Sequence, residues 1–172
     1  INVARFTDQK DQITLLKAIN IIKERLNFSL LIVGYGKKKN FLINYIKKNN
    51  LKKNVKILPY QNNPFNLIKL SDIFILTSIY EGLPNVLLEA QVLKKFIISS
   101  DCPTGPREIL LNGKAGYLFK MRDYKKLAQL IIKASKNINQ INKKVMVGYK
   151  NLHRFDYKSN LNKYYNLLNK FV

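Results

Sequence analysis

Short apolar runs alternate with segments of helical periodicity along this chain. The apolar runs predict strands at Ile1–Ala4, Leu30–Val33, Val55–Leu58, Ile73–Leu76, Phe96–Ser99 and Gly116–Phe119. Between them, apolar residues spaced three and four apart predict helices at Asp8–Leu26, Lys38–Asn50, Pro64–Leu70, Pro84–Leu93, Pro106–Leu111 and Asp123–Ala134, with Asp123 as an N-cap. The tail from Ile141 to Leu168 is predicted to form one or two further helices.

Uniformly apolar strands that alternate with helices indicate a parallel sheet with helices on both faces. We therefore expect an α/β fold of the doubly wound, Rossmann-like type. A chain of 172 residues has the size of one domain, and we expect a single domain over residues 1–172 with a helical tail from about residue 141. In such sheets, ligands bind beyond the carboxyl ends of the strands, near the point where the strand order reverses.

The charge of the chain is unusual. It has 31 Lys and Arg residues against 10 Asp and Glu residues, a net charge of +21. Such a field attracts nucleic acid, anionic lipid or an anionic ligand. However, the basic residues are mostly lysines in scattered pairs, and no arginine-rich stripe is interleaved with aromatics. The pattern favours compositional drift toward codons rich in A and T over nucleic-acid binding.

Several classes of protein are excluded by composition. The single cysteine, Cys102, rules out an internal disulfide, and one Cys with one His rules out a zinc site. No apolar run approaches the roughly 20 residues of a membrane-spanning helix, and the N-terminus lacks a signal-peptide pattern. Cys102 has no evident thiolate stabiliser, and His153 lies in the helical tail, so a hydrolase triad is unsupported. The chain starts without Met in an apolar segment, and we expect it to be part of a longer protein.

The loop and helix after the fourth strand hold two carboxylates. Glu89 lies in an almost wholly apolar helix, so it either points to solvent or has a defined partner. A ligand with vicinal hydroxyls would supply that partner, and so would a nearby loop that Glu89 caps. Glu81 precedes the helix, and the backbone N–H groups of Gly82, Leu83 and Asn85 could face a phosphate or sugar oxygen. Pro84 contributes no N–H, and the same residues are also compatible with an ordinary turn.

Two cations and a glycine lie at the same edge of the predicted sheet. Arg5 and Lys10 follow the first strand and could both reach one diphosphate, although such residues mean little alone in so basic a chain. Gly34 ends the second strand within Gly-Tyr-Gly. Without the rest of the dinucleotide fingerprint this indicates a tight turn first and a ligand-adjacent loop second.

Taken together, three segments resemble one family. They are VARFTDQKD, LLIVGYGKKKNFL and SDIFILTSIYEGLPNVLLEAQVLKKFIISSDCPTGPREIL, the last of which places seven residues between Glu81 and Glu89. The chain resembles the retaining GT-B glycosyltransferases of the group 1 type (glycosyltransferase family 4), over essentially its whole length. It is similar to their C-terminal, donor-binding domain, which is one Rossmann-like half of the GT-B fold. The resemblance implies that an N-terminal acceptor domain is absent.

The resemblance also implies roles for the candidate residues. Arg5 and Lys10 would hold the diphosphate and stabilise the leaving nucleotide, and Glu89 would bond the ribose hydroxyls. Glu81 and the backbone from Gly82 to Asn85 would contact the donor sugar and phosphates. The loop of residues 58–62, which contains Tyr60, would hold the base, and Gly34 would lie beside the donor. Two departures affect this assignment: Ala4 and Pro59 stand where family members often have Gly.

From the resemblance we expect hexosyl or N-acetylhexosaminyl transfer from a nucleotide sugar, usually a UDP-sugar, to a bacterial cell-surface glycan or lipid-linked acceptor. We expect retention of anomeric configuration, no metal and no cofactor, and poor transfer by the isolated chain. A cytoplasmic location follows, with the net charge suggesting peripheral contact with anionic lipid at the inner membrane face. The alternatives are a nucleotide-sugar epimerase of GT-B fold and a non-catalytic basic binding module.

Overall fold

The structure is a computed structural model, and it describes residues 1–171. Its strands are β1 (Asn2–Val3), β2 (Leu30–Val33), β3 (Val55–Leu58), β4 (Ile73–Leu76), β5 (Phe96–Ser100) and β6 (Tyr117–Phe119). Its helices are α1 (Gln12–Ile22), α2 (Lys39–Lys48), α3 (Phe65–Lys69), α4 (Asn85–Val92), α5 (Pro106–Ile109), α6 (Tyr124–Lys136), α7 (Ile138–Lys150) and α8 (Tyr157–Leu168), with a 3₁₀ helix at Leu152–Phe155. Every predicted strand and helix is present; β2, β3 and β4 have the predicted bounds, and the ends of the other elements are shifted.

The largest correction concerns the start of the first helix, which was predicted at Asp8. The helix begins at Gln12 instead, because residues 4–11 form a loop that bonds to a distant part of the chain. Asp11 ends that loop in the left-handed region, with φ 44°. Its carboxylate accepts a hydrogen bond of 2.7 Å from the Thr14 hydroxyl. A helix starting at Asp8 is incompatible with this backbone.

The C-terminal part of the chain is helical, as predicted, and forms two helices. Asp123 caps α6 by accepting a hydrogen bond of 2.9 Å from the Lys126 backbone, which confirms that assignment. However, α7 begins at Ile138, directly after α6, rather than at Ile141. Within residues 1–171 no helix is both long enough and apolar enough to cross a bilayer.

The six strands are parallel and form two sheets that lie side by side. The strand orders are β1-β2-β3 and β4-β5-β6. The two sheets meet where β1 lies beside β4: the Ile75 N–H donates to the Ile1 carbonyl at 2.9 Å, and the Ile1 nitrogen donates to the Ile73 carbonyl at 2.8 Å. The strands therefore run in the order β3-β2-β1-β4-β5-β6, and the order reverses between β1 and β4.

Both faces of the sheet are buried, as expected for uniformly apolar strands. In β4, Ile75 packs with α1, α2 and α6, whereas Phe74 and Leu76 pack in a separate cluster with α3, α4 and α5. Successive strand residues point to opposite faces, so these two clusters lie on opposite sides of the sheet. The doubly wound α/β prediction is confirmed, and it places the loops after β1 and β4 together at the point of strand reversal.

Candidate functional site

The loops after β1 and β4 are bonded to each other at the point of strand reversal. The Ile79 N–H donates to the Gln9 carbonyl, and the Thr77 hydroxyl donates to the Lys10 carbonyl, both at 2.8 Å. The Gln9 side-chain amide donates to the Tyr80 carbonyl at 3.0 Å. These bonds fix the first loop against the second, at the sheet edge where parallel α/β folds bind ligands.

Lys10 and Glu81 form an ion pair across these two loops. The Lys10 ammonium lies 2.5 Å from a carboxylate oxygen of Glu81, and the side chains are only 15% and 7% exposed. Two charges so far removed from water are held by each other, and either alone would be costly. The sequence identified both residues as site candidates but did not predict that they pair.

The end of β5 and the loop after it hold the Glu81 loop by two hydrogen bonds. The Ser100 hydroxyl donates to the Ser78 carbonyl at 2.6 Å. The Thr104 hydroxyl donates to the carbonyl of Glu81 itself. Three loops from three strands therefore determine the position of the Glu81 backbone.

Gly105 allows these loops to approach closely. Its φ is +86°, and a Cβ atom there would lie 2.3 Å from the Gly82 carbonyl oxygen and 2.4 Å from Cδ of Pro84. Both neighbours belong to the loop that leads into α4, so any side chain at residue 105 would push that loop outward. This glycine has a structural requirement that the sequence pattern did not reveal.

Beside the ion pair, a cleft of about 290 Å³ opens between the ends of β1, β2 and β3 and helix α4. It is lined by Val3, Ala4, Arg5, Val33, Gly34, Tyr35, Tyr60, Gln61, Asn62, Pro64, Phe65, Val86 and Glu89. Four of the residues predicted from the sequence therefore share one cleft: Arg5, Gly34, Tyr60 and Glu89. Lys10 and Glu81 lie outside its lining.

Glu89 belongs to α4 and lines this cleft. It is half-buried, and within residues 1–171 its carboxylate makes no hydrogen bond or ion pair. Desolvation by burial raises the pKa of this carboxyl above its ordinary value. The sequence left open whether Glu89 caps a nearby loop, and the structure shows no such contact. A carboxylate of this kind is suited to accept hydrogen bonds from a ligand.

Arg5 and Gly34 both line the cleft. The Arg5 side chain is exposed and makes no ion pair within the described part of the chain, while its carbonyl accepts a hydrogen bond of 2.9 Å from Gln12. Gly34 has φ +151°, and a Cβ atom there would lie 2.0 Å from the Ala4 carbonyl oxygen. Gly34 thus serves as the tight turn expected first, and it also lies beside the cleft.

The residues before α4 divide between core and surface. Pro84 is buried, and its carbonyl accepts the Leu87 N–H at 2.9 Å, which closes the first turn of the helix. Gly82, Leu83 and Asn85 are exposed. Asn85 lines a second groove that shares Glu89 with the main cleft.

Cys102 and His153 take no part in the cleft. Burial, together with the charge of Glu81, raises the pKa of the Cys102 thiol, so a reactive thiolate is disfavoured. The exposed His153 ring lies 3.0 Å from the Lys150 carbonyl, in the tail. Both observations agree with the sequence analysis.

Besides Gly105, three residues contribute to the site that were not predicted as site residues from the sequence. Tyr35 was noted only as the middle residue of Gly-Tyr-Gly, yet its ring lines the cleft. Thr77 and Thr104 act on the site through backbone carbonyls of distant loops, and no local pattern reveals such bonds. An aromatic residue fixed between two glycines at a strand end is the one signal that was available.

The sequence profile of a family described as "Glycosyl transferases group 1" matches residues 1–152. The chain belongs to this glycosyltransferase family. The resemblance predicted from the Glu81–Glu89 segment is therefore confirmed.

Relatives within the glycosyltransferases match only part of their own length. An uncharacterized glycosyltransferase of Methanocaldococcus jannaschii is 46% identical over 111 residues, which cover 64% of this chain and 27% of that protein. The UDP-Gal:alpha-D-GlcNAc-diphosphoundecaprenol alpha-1,3-galactosyltransferase of Escherichia coli is 30% identical over 164 residues, which cover 90% of this chain and 42% of that protein. The chain thus spans between about a quarter and two fifths of these relatives.

The fold is also that of solved glycosyltransferase structures. TarM of Staphylococcus aureus, crystallised with fondaparinux, alpha-GlcNAc-glycerol and UDP, superposes with a TM-score of 0.90 at 24% identity. The match covers 98% of this chain and 34% of TarM. This likeness confirms the Rossmann-like half of a GT-B fold.

Proposed function

We propose that this chain is the donor-binding part of a retaining, metal-independent glycosyltransferase that uses a UDP-sugar. The observation that carries the proposal is the cleft at the point of strand reversal. It is lined by a half-buried Glu89 and an exposed Arg5, and neither side chain has a partner within residues 1–171. A carboxylate and a guanidinium across one cleft match the two ends of a nucleoside diphosphate, its ribose diol and its phosphates.

Glu89 is assigned to the ribose. Each oxygen of a carboxylate can accept a hydrogen bond from one hydroxyl of a vicinal diol, and these bonds would compensate the partial desolvation of Glu89. The protein itself supplies no donor to this group within residues 1–171. Among the cleft residues, Glu89 is therefore the one whose function most clearly requires a ligand.

The diphosphate is assigned to Arg5 and Lys10. Arg5 offers a planar fork of donors at the cleft, and Lys10 belongs to the same loop. An ammonium has three donor hydrogens, so Lys10 can keep its bond to Glu81 while it donates to a phosphate oxygen. The exposed backbone at Gly82, Leu83 and Asn85, before and at the start of α4, adds donors at the positive end of the helix dipole. Cations placed in this way would stabilise the charge that develops on the leaving nucleotide.

Glu81 is assigned to the donor sugar. Its position next to Lys10, at the junction of three loops, would hold it rigidly beside the diphosphate. We propose that it bonds sugar hydroxyls of a hexose or N-acetylhexosamine. We also propose that the reaction retains the anomeric configuration and needs no metal or cofactor. These two parts of the proposal are supported only by membership of the family.

The acceptor is proposed to be a cell-surface glycan or a lipid-linked sugar. The Escherichia coli relative is named for a diphosphoundecaprenol-linked acceptor. We also propose peripheral contact with anionic lipid at the cytoplasmic face of the membrane. This membrane contact is supported by residues 25–71, which contain ten Lys and Arg residues and no Asp or Glu. We call these residues the acid-free segment. This segment includes α2 and the outermost strand, β3.

We expect this chain to bind the donor without transferring its sugar efficiently. The chain carries the donor cleft but spans less than half of the relatives' length. We therefore propose that these 172 residues bind the donor, whereas rapid transfer requires the acceptor domain that the family resemblance places before this one.

Thermal unfolding in the presence of UDP, UDP-glucose, UDP-N-acetylglucosamine, GDP and ATP tests this proposal. A ligand at 100 times its Kd stabilises the folded chain by about 2.7 kcal/mol, which corresponds to a Tm increase of roughly 5–10 °C. We expect such an increase for the uridine nucleotides and its loss in Glu89→Gln. Glu108→Gln is the matched control, because Glu108 is exposed on α5 outside the cleft. No uridine-selective increase in the folded wild-type chain would contradict the proposal.

The alternative functions predict different results. An epimerase would convert the sugar of the donor without an acceptor, so product analysis with a single UDP-sugar separates it from a transferase. A non-catalytic basic module would bind polyanions with a steep salt dependence and no preference among nucleotides. The cleft, with a Glu89 that has no partner within residues 1–171, favours an enzyme that binds a nucleotide sugar over the basic module.

A further inference from the structure

Gln12 is a buried polar side chain at the end of the loop that carries Arg5 and Lys10. It is the first residue of α1 and is only 2% exposed. Its side-chain amide donates a hydrogen bond of 2.9 Å to the Arg5 carbonyl. Glutamine side chains are mostly exposed in folded proteins, so the burial of this one indicates a specific contact rather than a solvated helix start.

The backbone of Arg5 is fixed, whereas its side chain is free. The Arg5 carbonyl accepts hydrogen bonds from the Gln12 amide and, at 3.1 Å, from the Thr7 N–H. The next residue, Phe6, is fully buried, and its N–H donates to the Tyr35 carbonyl at 2.6 Å. The Arg5 side chain is exposed, lines the cleft and makes no ion pair within residues 1–171. The guanidinium therefore extends from a backbone that is held in place.

The Gln12 bond joins the two ends of residues 5–12, the segment that contains both cations assigned to the diphosphate. Within this segment the Lys10 carbonyl accepts a hydrogen bond of 2.8 Å from the Thr77 hydroxyl. A segment whose ends are joined cannot spread, so Arg5 keeps its position relative to Lys10 before any ligand arrives. Cations arranged in advance bind an anion more tightly, because less conformational entropy is lost on binding.

We propose that Gln12 is a positioning residue for the diphosphate, and that its bond to the Arg5 carbonyl directs the Arg5 guanidinium toward the phosphates. This inference rests on the proposed function, in which Arg5 binds the diphosphate. Gln12 is not among the residues that line the cleft. Its effect on the donor therefore passes through Arg5.

Calorimetric titration of the 172-residue chain with UDP and with inorganic pyrophosphate tests the inference. Gln12→Met keeps the length of the side chain and removes its donor, and Gln12→Asn keeps an amide that is one methylene shorter. Gln91→Met is the matched control. Gln91 is 4% exposed, its amide donates to the Ile109 carbonyl at 3.2 Å, and it lies outside the lining of the cleft.

Both Gln12 variants should weaken the binding of UDP and of pyrophosphate about fivefold, the size of one neutral hydrogen bond. Gln91→Met also loses one buried hydrogen bond, but it should bind both ligands as the wild type does. Circular dichroism melts establish that each variant is folded.

A second comparison, in the Arg5→Met background, separates positioning of Arg5 from a general effect on the fold. If Gln12 acts through Arg5, Gln12→Met should cause no further loss of UDP affinity once the guanidinium is gone. A merely structural role predicts the same loss with and without the guanidinium. Titrations of Arg5→Met and of the double variant at millimolar UDP are the measurement.

Three results would overturn the inference alone. They are unchanged UDP affinity in both Gln12 variants, an equal loss of UDP affinity in Gln91→Met, and an undiminished loss from Gln12→Met in the Arg5→Met background. A folded wild-type chain that binds neither UDP nor pyrophosphate would overturn the proposed function as well. The pattern of results therefore separates failure of this inference from failure of the proposed function.

Discussion

Glu89 carries its charge where water reaches only part of the carboxylate. Burial raises its pKa, so the folded chain holds the Glu89 proton to a higher pH than the unfolded chain does. The contribution of Glu89 to stability is therefore lost as the pH rises through the raised pKa. At neutral pH the ionised group is destabilising, and a ligand that donates hydrogen bonds to it, as proposed above, would offset that cost.

Glu89→Gln should stabilise the free chain at pH 7 while it abolishes UDP binding, since the amide has no charge to desolvate. An increase in Tm of up to a few degrees is expected, because about 1 kcal/mol corresponds to roughly 2–4 °C at this size. Melting curves across pH are the measurement. The gain should shrink as the pH falls through the raised pKa of Glu89, and it should vanish below the ordinary Glu value of 4.5, where Glu89 is neutral in both states. Equal melting temperatures at pH 7 would contradict the prediction.

Substitution of Lys10 should lower the stability of the folded chain, which is the opposite of the effect expected for Glu89→Gln. Lys10→Met leaves a buried carboxylate without its cation, and we expect a loss of about 3 kcal/mol, or roughly 6–12 °C in Tm. Lys38→Met is the matched control, since Lys38 pairs at 2.7 Å with the exposed Asp8, and such surface pairs contribute less than about 1 kcal/mol. Lys10→Met with Glu81→Leu should recover part of the loss. Equal melts for the Lys10 and Lys38 variants would show that the buried pair is not stabilising.

At this scale the sequence predicted which residues matter better than it predicted how they meet. Arg5, Gly34 and Tyr60, which follow strand ends, line one cleft together with Glu89 of α4. The Lys10–Glu81 bond could not be predicted, because it joins loops that are distant in sequence and depends on their exact packing. The role of each residue toward a ligand stays a prediction.

Among the elements, the loops rather than the strands and helices determine the site. The uniformly apolar strands predicted the parallel sheet because burial on both faces demands such sequences. The helix after β1 was predicted four residues too early, because the polar residues 8–11 belong to a loop whose carbonyls at Gln9 and Lys10 accept hydrogen bonds from the β4 loop. Tertiary hydrogen bonds decided where that helix begins, and local sequence does not encode them.

The contact between the β5 loop and the β4 loop is tested by Gly105→Ala. The added Cβ would strain a φ of +86° and collide with the Gly82 carbonyl oxygen and Pro84. Gly113→Ala is the matched control, since its φ is +87° but only the Gly116 carbonyl oxygen lies nearby, at 4.0 Å. The backbone strain of about 1–2 kcal/mol is common to both variants.

We expect Gly105→Ala to be the less stable variant and to bind UDP more weakly, because the displaced Gly82 and Pro84 belong to the loop before α4. Chemical denaturation and UDP titration of the two variants are the measurements. If Gly113→Ala loses as much UDP affinity as Gly105→Ala, the contact between the loops does not position the site.

For the whole molecule, the distribution of charge is more informative than its sum. All ten acidic residues lie outside the acid-free segment, which forms one end of the sheet through β2, α2, β3 and α3. On α2, Lys47 and Lys48 are exposed, and Phe41 on the same helix is also exposed. A basic surface with an exposed aromatic is suited to the headgroup region of an anionic bilayer.

Co-sedimentation with vesicles distinguishes a docking surface from compositional drift. Each lysine near an anionic surface contributes about 1 kcal/mol, so Lys47→Gln with Lys48→Gln should weaken binding to phosphatidylglycerol vesicles roughly thirty-fold. Lys125→Gln with Lys126→Gln removes the same charge from an exposed part of α6, outside the acid-free segment. If the acid-free segment binds the membrane, the first pair of substitutions should weaken binding far more than the second. Equal losses would mean that only net charge matters. Stronger binding to duplex DNA than to vesicles at the same salt concentration would contradict the membrane assignment, because the surface would then favour nucleic acid.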